Sequence, residues 1–292
     1  MLYNPPMLPS RLQRSIDQAK FNARIWRTLR SGPFFTSRLD RIIIDLAHCC
    51  DLQCPGCNRS CGLGQAPAAE FIGLDQIERF VAESVAAGKN WRRIMLEGGE
   101  PTLHPRLPAI LEVLLHFREH YSPASVIELC TNGYGPLARR LSDRPPPGVR
   151  VKNSAKSPQR KNRHIAFNVA PIDMAGFAGA DFSQGCYIHS IFGLGLTRHG
   201  YYPHPICGGI DRVFGFNVGL KKLSDVHGGI HGQMSRLCPY CGHFREFRGR
   251  GERSAMKALK HGADDSPPER MSHSWLEAYR NYRRDPPGLP LY

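Results

Sequence analysis

The stretch that decides the fold is an apolar run followed at once by a cysteine loop: Arg41-Ile42-Ile43-Ile44-Asp45-Leu46 and then Cys50-Asp51-Leu52-Gln53-Cys54-Pro55-Gly56-Cys57. The apolar run has the composition of a buried β-strand. Thiolates bind iron-sulfur clusters and zinc alike, but a closed site of either kind needs four ligands. Three cysteines in C-x3-C-x2-C spacing therefore predict a metal centre with one coordination position open to another molecule.

Strand and helix patterns alternate after this loop. An apolar helical stripe runs from Leu74 to Val85 and ends near Gly88, and a second follows from Leu107 to Phe117. Strand-like runs lie between and after these helices, near 93–97, 126–130, 149–153 and 165–170, with a short helix starting at Pro136. Such alternation at short loop lengths predicts an α/β fold with a parallel sheet, whose ligands gather at the carboxyl ends of the strands.

Length and composition indicate a globular chain. The 292 residues are 41% hydrophobic, and a domain of this size buries about three-quarters of its unfolded surface. No run approaches the ~20 apolar residues of a membrane span, and the N-terminus has no signal-peptide pattern, so we expect a cytoplasmic protein. The ten cysteines are better explained as reduced, metal-binding thiols than as disulfides in a chain this long.

The formal charge of +14 is unevenly distributed. A basic helical arm is expected over 1–38, and residues 150–163 carry six Lys and Arg without an acidic residue. Patches of this kind attract phosphates, nucleic acid or a carboxylate-bearing substrate, although a solvated face of a basic protein is the simpler explanation.

The second half of the chain has a different amino-acid composition. Glycines and aromatic residues become frequent after Met174, and the segments 194–197, 198–200 and 201–202 have the pattern of a hairpin with Gly in the turn. Beyond Gly249 the chain is charged and rich in proline, with one more short helix expected over Trp275 to Tyr282. We therefore divide the chain into the arm 1–38, a main domain 39–173, a smaller unit 174–249 and a tail 250–292.

Three motifs at the ends of successive predicted strands resemble those of radical S-adenosylmethionine enzymes. They are the loop with Cys50, Cys54 and Cys57, the run Gly98-Gly99-Glu100-Pro101, and the run Thr131-Asn132-Gly133. The resemblance covers roughly 40–170 and implies a partial (β/α)6 TIM-like barrel. It also implies a [4Fe-4S] cluster on the three cysteines, with S-adenosylmethionine on its open iron.

The same resemblance suggests roles for residues around the cofactor. Gly98 and Gly99 would allow close approach of the backbone, and Glu100 would accept hydrogen bonds from the methionyl ammonium. Asn132 and the pair Asn153 and Ser154 are candidates for contacts with the ribose or the carboxylate, and ordinary turn or cap roles are the alternative.

A second group of cysteines follows in the smaller unit. Together with the hairpin between the first two, Cys186, Cys207, Cys238 and Cys241 resemble the Twitch subdomain, a shortened SPASM module that carries an auxiliary [4Fe-4S] cluster. A four-cysteine zinc site is the alternative, because tetrahedral thiolate sites serve both metals. Asp211 and Arg212, close to Cys207, could orient a substrate or form a local ion pair.

These features predict a radical S-adenosylmethionine oxidoreductase that abstracts a hydrogen atom from a polar small molecule or a peptide. The second cluster would be the electron acceptor, and an external one-electron reductant such as flavodoxin or ferredoxin would supply the first electron. A redox-neutral epimerase or a peptide-modifying enzyme is the alternative within this chemistry. An epimerase would use a hydrogen donor, for which Cys130 and Cys61 are the candidate thiols. An RNA-modifying enzyme, whose nucleic acid partner the motifs do not favour, and a non-catalytic zinc-binding module are the remaining alternatives.

Overall fold

Six strands form one sheet, in a computed structural model that describes Ala19 and residues 38–54, 56–63, 71–158, 167–177, 179–246 and 271–292. The strands are β1 (Arg41–Ala47), β2 (Arg93–Gly98), β3 (Val126–Thr131), β4 (Val149–Asn153), β5 (Leu194–Thr197) and β6 (Gly200–Tyr202). Their order in the sheet is β4-β3-β2-β1-β5-β6. All neighbours are parallel except β5 and β6, which form an antiparallel hairpin. The predicted α/β class with a mostly parallel sheet is confirmed.

One face of this sheet is apolar and covered by helices. Side chains alternate between faces along a strand, so Ile42, Ile44 and Leu46 of β1 point to the same side. They join a buried core with the inner faces of α1 (Leu74–Ala86) and α2 (Leu107–Tyr121). Two residues after the end of α1, Gly88 has a φ of +57°, which glycine readily adopts. Because successive side chains point to opposite faces, this packing places the remaining side chains of each strand on the opposite face of the sheet.

The opposite face carries charged side chains. The residues that alternate with the apolar ones are Arg41, Asp45, Arg93, Glu97, Glu128, Cys130, Arg150 and Lys152. Charged groups are rarely buried unless they are paired. Here they pair across strands, as Glu128 of β3 does with Arg150 and Lys152 of β4. The cysteine loop lies next to this polar face, near the carboxyl ends of the strands.

Four of the five remaining helices build a second core. The five are α3 (Pro136–Asp143), α4 (Tyr187–Phe192), α5 (Pro205–Phe214), α6 (Val226–Leu237) and α7 (His273–Arg284). Of these, α4 to α7 pack around Phe167, Phe244 and Trp275, all of which are buried. The helix expected over Trp275 to Tyr282 is confirmed as α7. The chain after it is also anchored, because the buried Tyr292 donates a hydrogen bond from its hydroxyl to Glu83.

The structure departs from the expected arrangement in two places. Residues 167–170 form a turn rather than the strand expected over 165–170. The hairpin is confirmed, but β5 pairs with β1 and not with β4. The strands therefore do not follow one another across the sheet in sequence order. Gly195 of β5 lies so near the backbone of Pro205 that a Cβ atom would come within 2.3 Å of its nitrogen. The helix of the basic arm falls outside the described residues apart from Ala19, as do residues 159–163 and residues 250–270 of the predicted tail.

None of the helices in the described ranges combines the length and the apolar character needed to cross a lipid bilayer.

Candidate metal and cofactor site

A cleft of about 550 Å³ opens at the carboxyl ends of β2, β3 and β4. Its walls include the cysteine loop on one side and the end of β4 on the other. The predicted site residues that line it are Cys50, Cys54, Cys57, Cys61, Gly98, Gly99, Cys130, Asn132, Asn153 and Ser154. The fold thus brings together side chains from four consecutive segments of the sequence, as expected for the carboxyl edge of a parallel sheet.

The thiols of the cysteine loop lie close to one another. Burial raises the pKa of Cys50 to about 12, against weaker opposition from the backbone NH of Leu52, which donates to its sulfur at 3.4 Å. A hydrogen bond with Cys57, together with burial, raises the pKa of Cys61 well above its ordinary value. These thiols resist ionisation in the metal-free protein. A bound cation would reverse this, because metal ligation requires and stabilises the thiolate.

Gly98 and Gly99 let the end of β2 approach the backbone of the cysteine loop. The NH of Gly99 donates to the carbonyl of Ala47 at 2.6 Å, and the NH of Glu100 donates to the carbonyl of Cys49 at 3.0 Å. A Cβ atom at Gly99 would come within 1.9 Å of the Cys49 oxygen. Gly98 has a φ of +129°, which disfavours other residues. The close backbone approach expected of these glycines is therefore made to the loop itself.

Glu100 does not reach the cleft, which differs from its expected contact with a methionyl ammonium. Its carboxylate is completely buried. One oxygen accepts hydrogen bonds from the hydroxyls of Thr102 and Thr131, both at 2.7 Å, and the other accepts the NH of Asn132 at 2.7 Å. Both oxygens already have donors. Glu100 therefore connects the end of β2 to the end of β3 and stabilises the site from outside the cleft.

Asn132 contacts the cysteine loop directly. Its Nδ2 donates to Asp51 Oδ1 at 2.6 Å and lies 3.7 Å from Cys50 Sγ, while its Oδ1 accepts the NH of Tyr134. Asn153 and Ser154 have turn roles: Asn153 Oδ1 accepts the NH of Ala155, and the Ser154 hydroxyl donates to the carbonyl of Thr131. All three residues line the cleft, and their cofactor contacts stay predictions.

Arg59 is a site residue that the sequence patterns did not indicate. It is buried, and its guanidinium donates to Asp45 at 3.2 Å and to Glu97 at 3.0 Å. Burial raises the pKa of Asp45 to about 6, although the positive charge of Arg59 opposes the shift. Arg59 therefore joins the cysteine loop to the charged face of the sheet. Its only sequence signal was its position two residues after Cys57.

The outer side of the loop is held by α5 and α7. Arg212 of α5 is buried and donates from Nη2 to the carbonyls of Arg59 and Ser60, at 3.1 and 3.0 Å, and from Nη1 to the hydroxyl of Tyr282. Tyr279 of α7 shares a hydrogen bond of 2.9 Å with the hydroxyl of Ser60. Arg212 thus stabilises the loop through two of its backbone carbonyls.

Asp211 takes a different partner from its neighbour. Its carboxylate accepts the hydroxyl of Tyr202 at 2.7 Å and the NH of Val218 at 3.1 Å. Asp211 thereby ties α5 to β6 and to the segment that follows the helix.

The two candidate hydrogen donors occupy different positions. Cys130 lines the cleft from β3, and burial raises the pKa of its thiol well above the ordinary value, in the same direction as its hydrogen bond with Glu97. Cys61 is more deeply buried and lies against Cys57. Cys130 is therefore a protonated thiol in the cleft, and Cys61 is a neighbour of the cysteine loop.

The four cysteines of the second group also come together, although they are separated in sequence by up to 55 residues between Cys186 and Cys241. All four line one small cavity of about 20 Å³. A hydrogen bond with Cys207, followed by burial, raises the pKa of Cys238 well above its ordinary value, and Cys186 and Cys241 act in the same direction. Thiols are the ligands that iron-sulfur clusters and zinc share, so this set of donors fits either.

Within the described ranges, no three His, Cys, Asp or Glu side chains converge on one point as ligands of a single metal ion do. Each of the two groups of cysteines lines a cavity.

Comparison with known proteins gave structural likenesses only. No protein-family model matches the chain, and no curated protein matches it. Among solved structures, a crystal structure of BtrN in complex with AdoMet and 2-DOIA is similar with a TM-score of 0.43 and 12% identity, over 70% of this chain and 93% of BtrN. Selenomethionine BtrN in an open conformation gives a TM-score of 0.40 and 14% identity, over 74% of this chain and 90% of BtrN. Both TM-scores lie below 0.5, so a functional assignment rests on the residues of this chain.

Proposed function

We propose that this chain is a radical S-adenosylmethionine enzyme whose cofactors occupy the cleft at the carboxyl ends of β2 to β4. The observation that carries the proposal is the shared cleft: three thiols in C-x3-C-x2-C spacing line the same space as Gly98, Gly99 and Asn132. In this proposal the parallel strands are the wall of a partial barrel. The donor set fits, because three thiols bind a [4Fe-4S] cluster and leave one iron for another ligand.

Cys50, Cys54 and Cys57 would hold the cluster. With S-adenosylmethionine on its open iron, a reduced cluster supplies a 5'-deoxyadenosyl radical, which abstracts a hydrogen atom from a substrate. The protein contributes position: Gly98 and Gly99 seat the loop, and Arg59, which donates to Asp45 and Glu97, ties the loop to the charged face of the sheet.

The four cysteines around the second cavity would hold an auxiliary [4Fe-4S] cluster. Four protein ligands leave no coordination position for a substrate, so electron transfer is the role that suits it. A carbon radical next to oxygen or nitrogen is a strong reductant and could pass its electron to this centre. The net reaction would then be an oxidation, and we propose an oxidoreductase that acts on a polar small molecule or a peptide. An external carrier such as flavodoxin or ferredoxin would reduce the first cluster.

One observation favours an epimerase as the second candidate. Cys130 presents a protonated thiol to the cleft, with Glu97 hydrogen-bonded to it. A thiol in this position could return a hydrogen atom to a substrate radical, which would make the reaction redox-neutral.

Anaerobic reconstitution with iron and sulfide tests the proposal. After addition of dithionite and S-adenosylmethionine, we expect the wild type to form 5'-deoxyadenosine and Cys54→Ala to form none, while the matched control Cys49→Ala retains formation. About eight irons per chain are expected for two [4Fe-4S] clusters, and about four for one. Zinc bound without iron or sulfide, and no 5'-deoxyadenosine, would identify a zinc-binding module and end the enzyme proposal.

A further inference from the structure

The β4 side of the cleft carries an excess of positive charge. From the end of α3 to the end of the cleft wall, exposed or half-buried cations follow one another, and Asp143 is the one acidic side chain among residues 139–156. The cations are Arg139, Arg140, Arg144, Arg150, Lys152 and Lys156. Two of them, Lys152 and Lys156, line the cleft itself.

Buried Glu128 accounts for only part of this charge. Its carboxylate is almost inaccessible and faces three cations, with Lys152 at 2.8 Å, Arg150 at 3.2 Å and Arg93 at 3.7 Å. One negative charge cannot neutralise three positive ones, so a net charge of about +2 remains around it. The side chains of Lys152 and Arg150 stay 45% and 65% exposed, which leaves them able to contact a further anion.

The other side of the cleft has no excess of positive charge. There the single guanidinium of Arg59 lies within hydrogen-bond distance of two carboxylates, Asp45 and Glu97. The cleft is therefore polarised, with paired charges beside the cysteine loop and excess positive charge at β4. Since β1 and β4 are separated by three strand spacings, the two sides are about 14 Å apart. This distance leaves room for a second molecule between the loop and the lysines.

We propose that the substrate is an anion, with a phosphate or carboxylate group held by Lys152 and Lys156 at the end of β4. The inference deepens the proposed function and rests on it. Ammonium groups bind both kinds of anion as point charges, and in a partly enclosed cleft each such contact is charge-assisted. The carboxylate of S-adenosylmethionine is the other anion that could reach these lysines, and the experiment must separate the two.

Isothermal titration of the reconstituted, S-adenosylmethionine-loaded protein makes this separation, with inorganic pyrophosphate and succinate as probes. We expect one of the two anions to bind the wild type at one site per chain. In Lys152→Met and in Lys156→Met, its Kd should rise about tenfold, the size expected for the loss of one charge-assisted contact. Arg140→Met is the matched control, because Arg140 is an exposed cation of the same basic stretch that does not line the cleft, and its Kd should stay within twofold of the wild type.

Three results would overturn the inference. An equal loss in Arg140→Met would show diffuse surface attraction, and no binding of either probe to the wild type would show that the cleft takes no anion. A tenfold weaker binding of S-adenosylmethionine in Lys156→Met would assign the lysine to the cofactor. Formation of 5'-deoxyadenosine without substrate, measured on the wild type and on Arg140→Met, tests the proposed function separately, since neither sample lacks a residue assigned to the cleft.

Discussion

At the scale of single residues, glycine at position 99 is required by contact with the cysteine loop. The carbonyl of Cys49 fills the space that a side chain would need. We expect Gly99→Ala to lower the free energy of unfolding by about 1–3 kcal/mol, as overpacking does, and to reduce iron bound after reconstitution. Thermal unfolding and iron analysis measure both effects. Gly62→Ala is the control, since nothing lies within 4 Å of its Cβ position, and equal iron loading in the two variants would contradict the assignment.

The role of Glu100 in connecting the ends of β2 and β3 can be tested by substitution. In Glu100→Gln one amide NH₂ must face a donor in place of a carboxylate oxygen, since both oxygens accept hydrogen bonds. We expect a loss of about 1–3 kcal/mol in the free energy of unfolding, the cost of an unsatisfied buried group. If Glu100 instead bound cofactor, the variant would unfold normally and show only a weaker affinity for S-adenosylmethionine in a titration.

The buried Asp45 predicts a dependence of stability on pH in the metal-free protein. Its pKa is raised from an ordinary 3.8 to about 6 in the folded state. Between these values the folded state keeps a proton that the unfolded state releases, so rising pH favours unfolding over this interval. Urea unfolding at pH 4 and at pH 6 should show this decline in the wild type and a smaller one in Asp45→Asn. An unchanged decline in the variant would assign it to other groups.

At the scale of elements, α5 connects the two groups of thiols. Cys207 near its start belongs to the second cavity, and Arg212 near its end donates to the loop that carries the first. Between them, Gly209 packs on that loop, where a Cβ atom would lie 3.2 Å from the carbonyl of Asn58. A helix of ten residues therefore contacts both sites.

Substitution of Arg212 should weaken the first site through this helix. Arg212→Met leaves two loop carbonyls without their donor, so we expect the free energy of unfolding to fall by about 3 kcal/mol and a chelator to remove iron faster from the three-cysteine site. Arg212→Lys should recover part of the effect, because it keeps the charge without the fork of donors. Arg236→Met, on the exposed side of α6, is the control for loss of a surface arginine, and equal rates of iron release in all variants would remove the coupling role.

An element could be predicted from the sequence when the residues that determine it lie close together along the chain. The strand at Arg41 and the helices α1 and α2 followed from apolar periodicity within each segment. The partners of Arg59 and Arg212 did not, because Glu97 is 38 residues from Arg59 and the carbonyl of Arg59 is 153 residues from Arg212. The hydrogen bonds of Glu100 were not predicted for a related reason: a motif fixes where a residue lies along the chain but leaves open which way its side chain turns.

At the scale of the whole molecule, the sheet depends on both halves of the chain. The strand β5 comes from the second half and pairs with β1 through Ile42 to Ile44. We expect a fragment ending at residue 173 to fail to fold, since it would expose β1 as an unpaired apolar edge. Circular dichroism and analytical ultracentrifugation of the fragment test this. A monomeric, cooperatively unfolding fragment would show that the first half is independent.

The shared helix α5 also bears on how the protein would respond to oxygen. The two proposed clusters would not decay independently, because α5 carries Cys207 of one site and contacts the loop of the other. Damage at Cys207 would shift the start of the helix, and Arg212 would carry that shift to the loop of Cys57. Iron release after brief exposure to air should therefore follow an ordered course, with a lag before the second centre is lost, rather than two unrelated exponential phases.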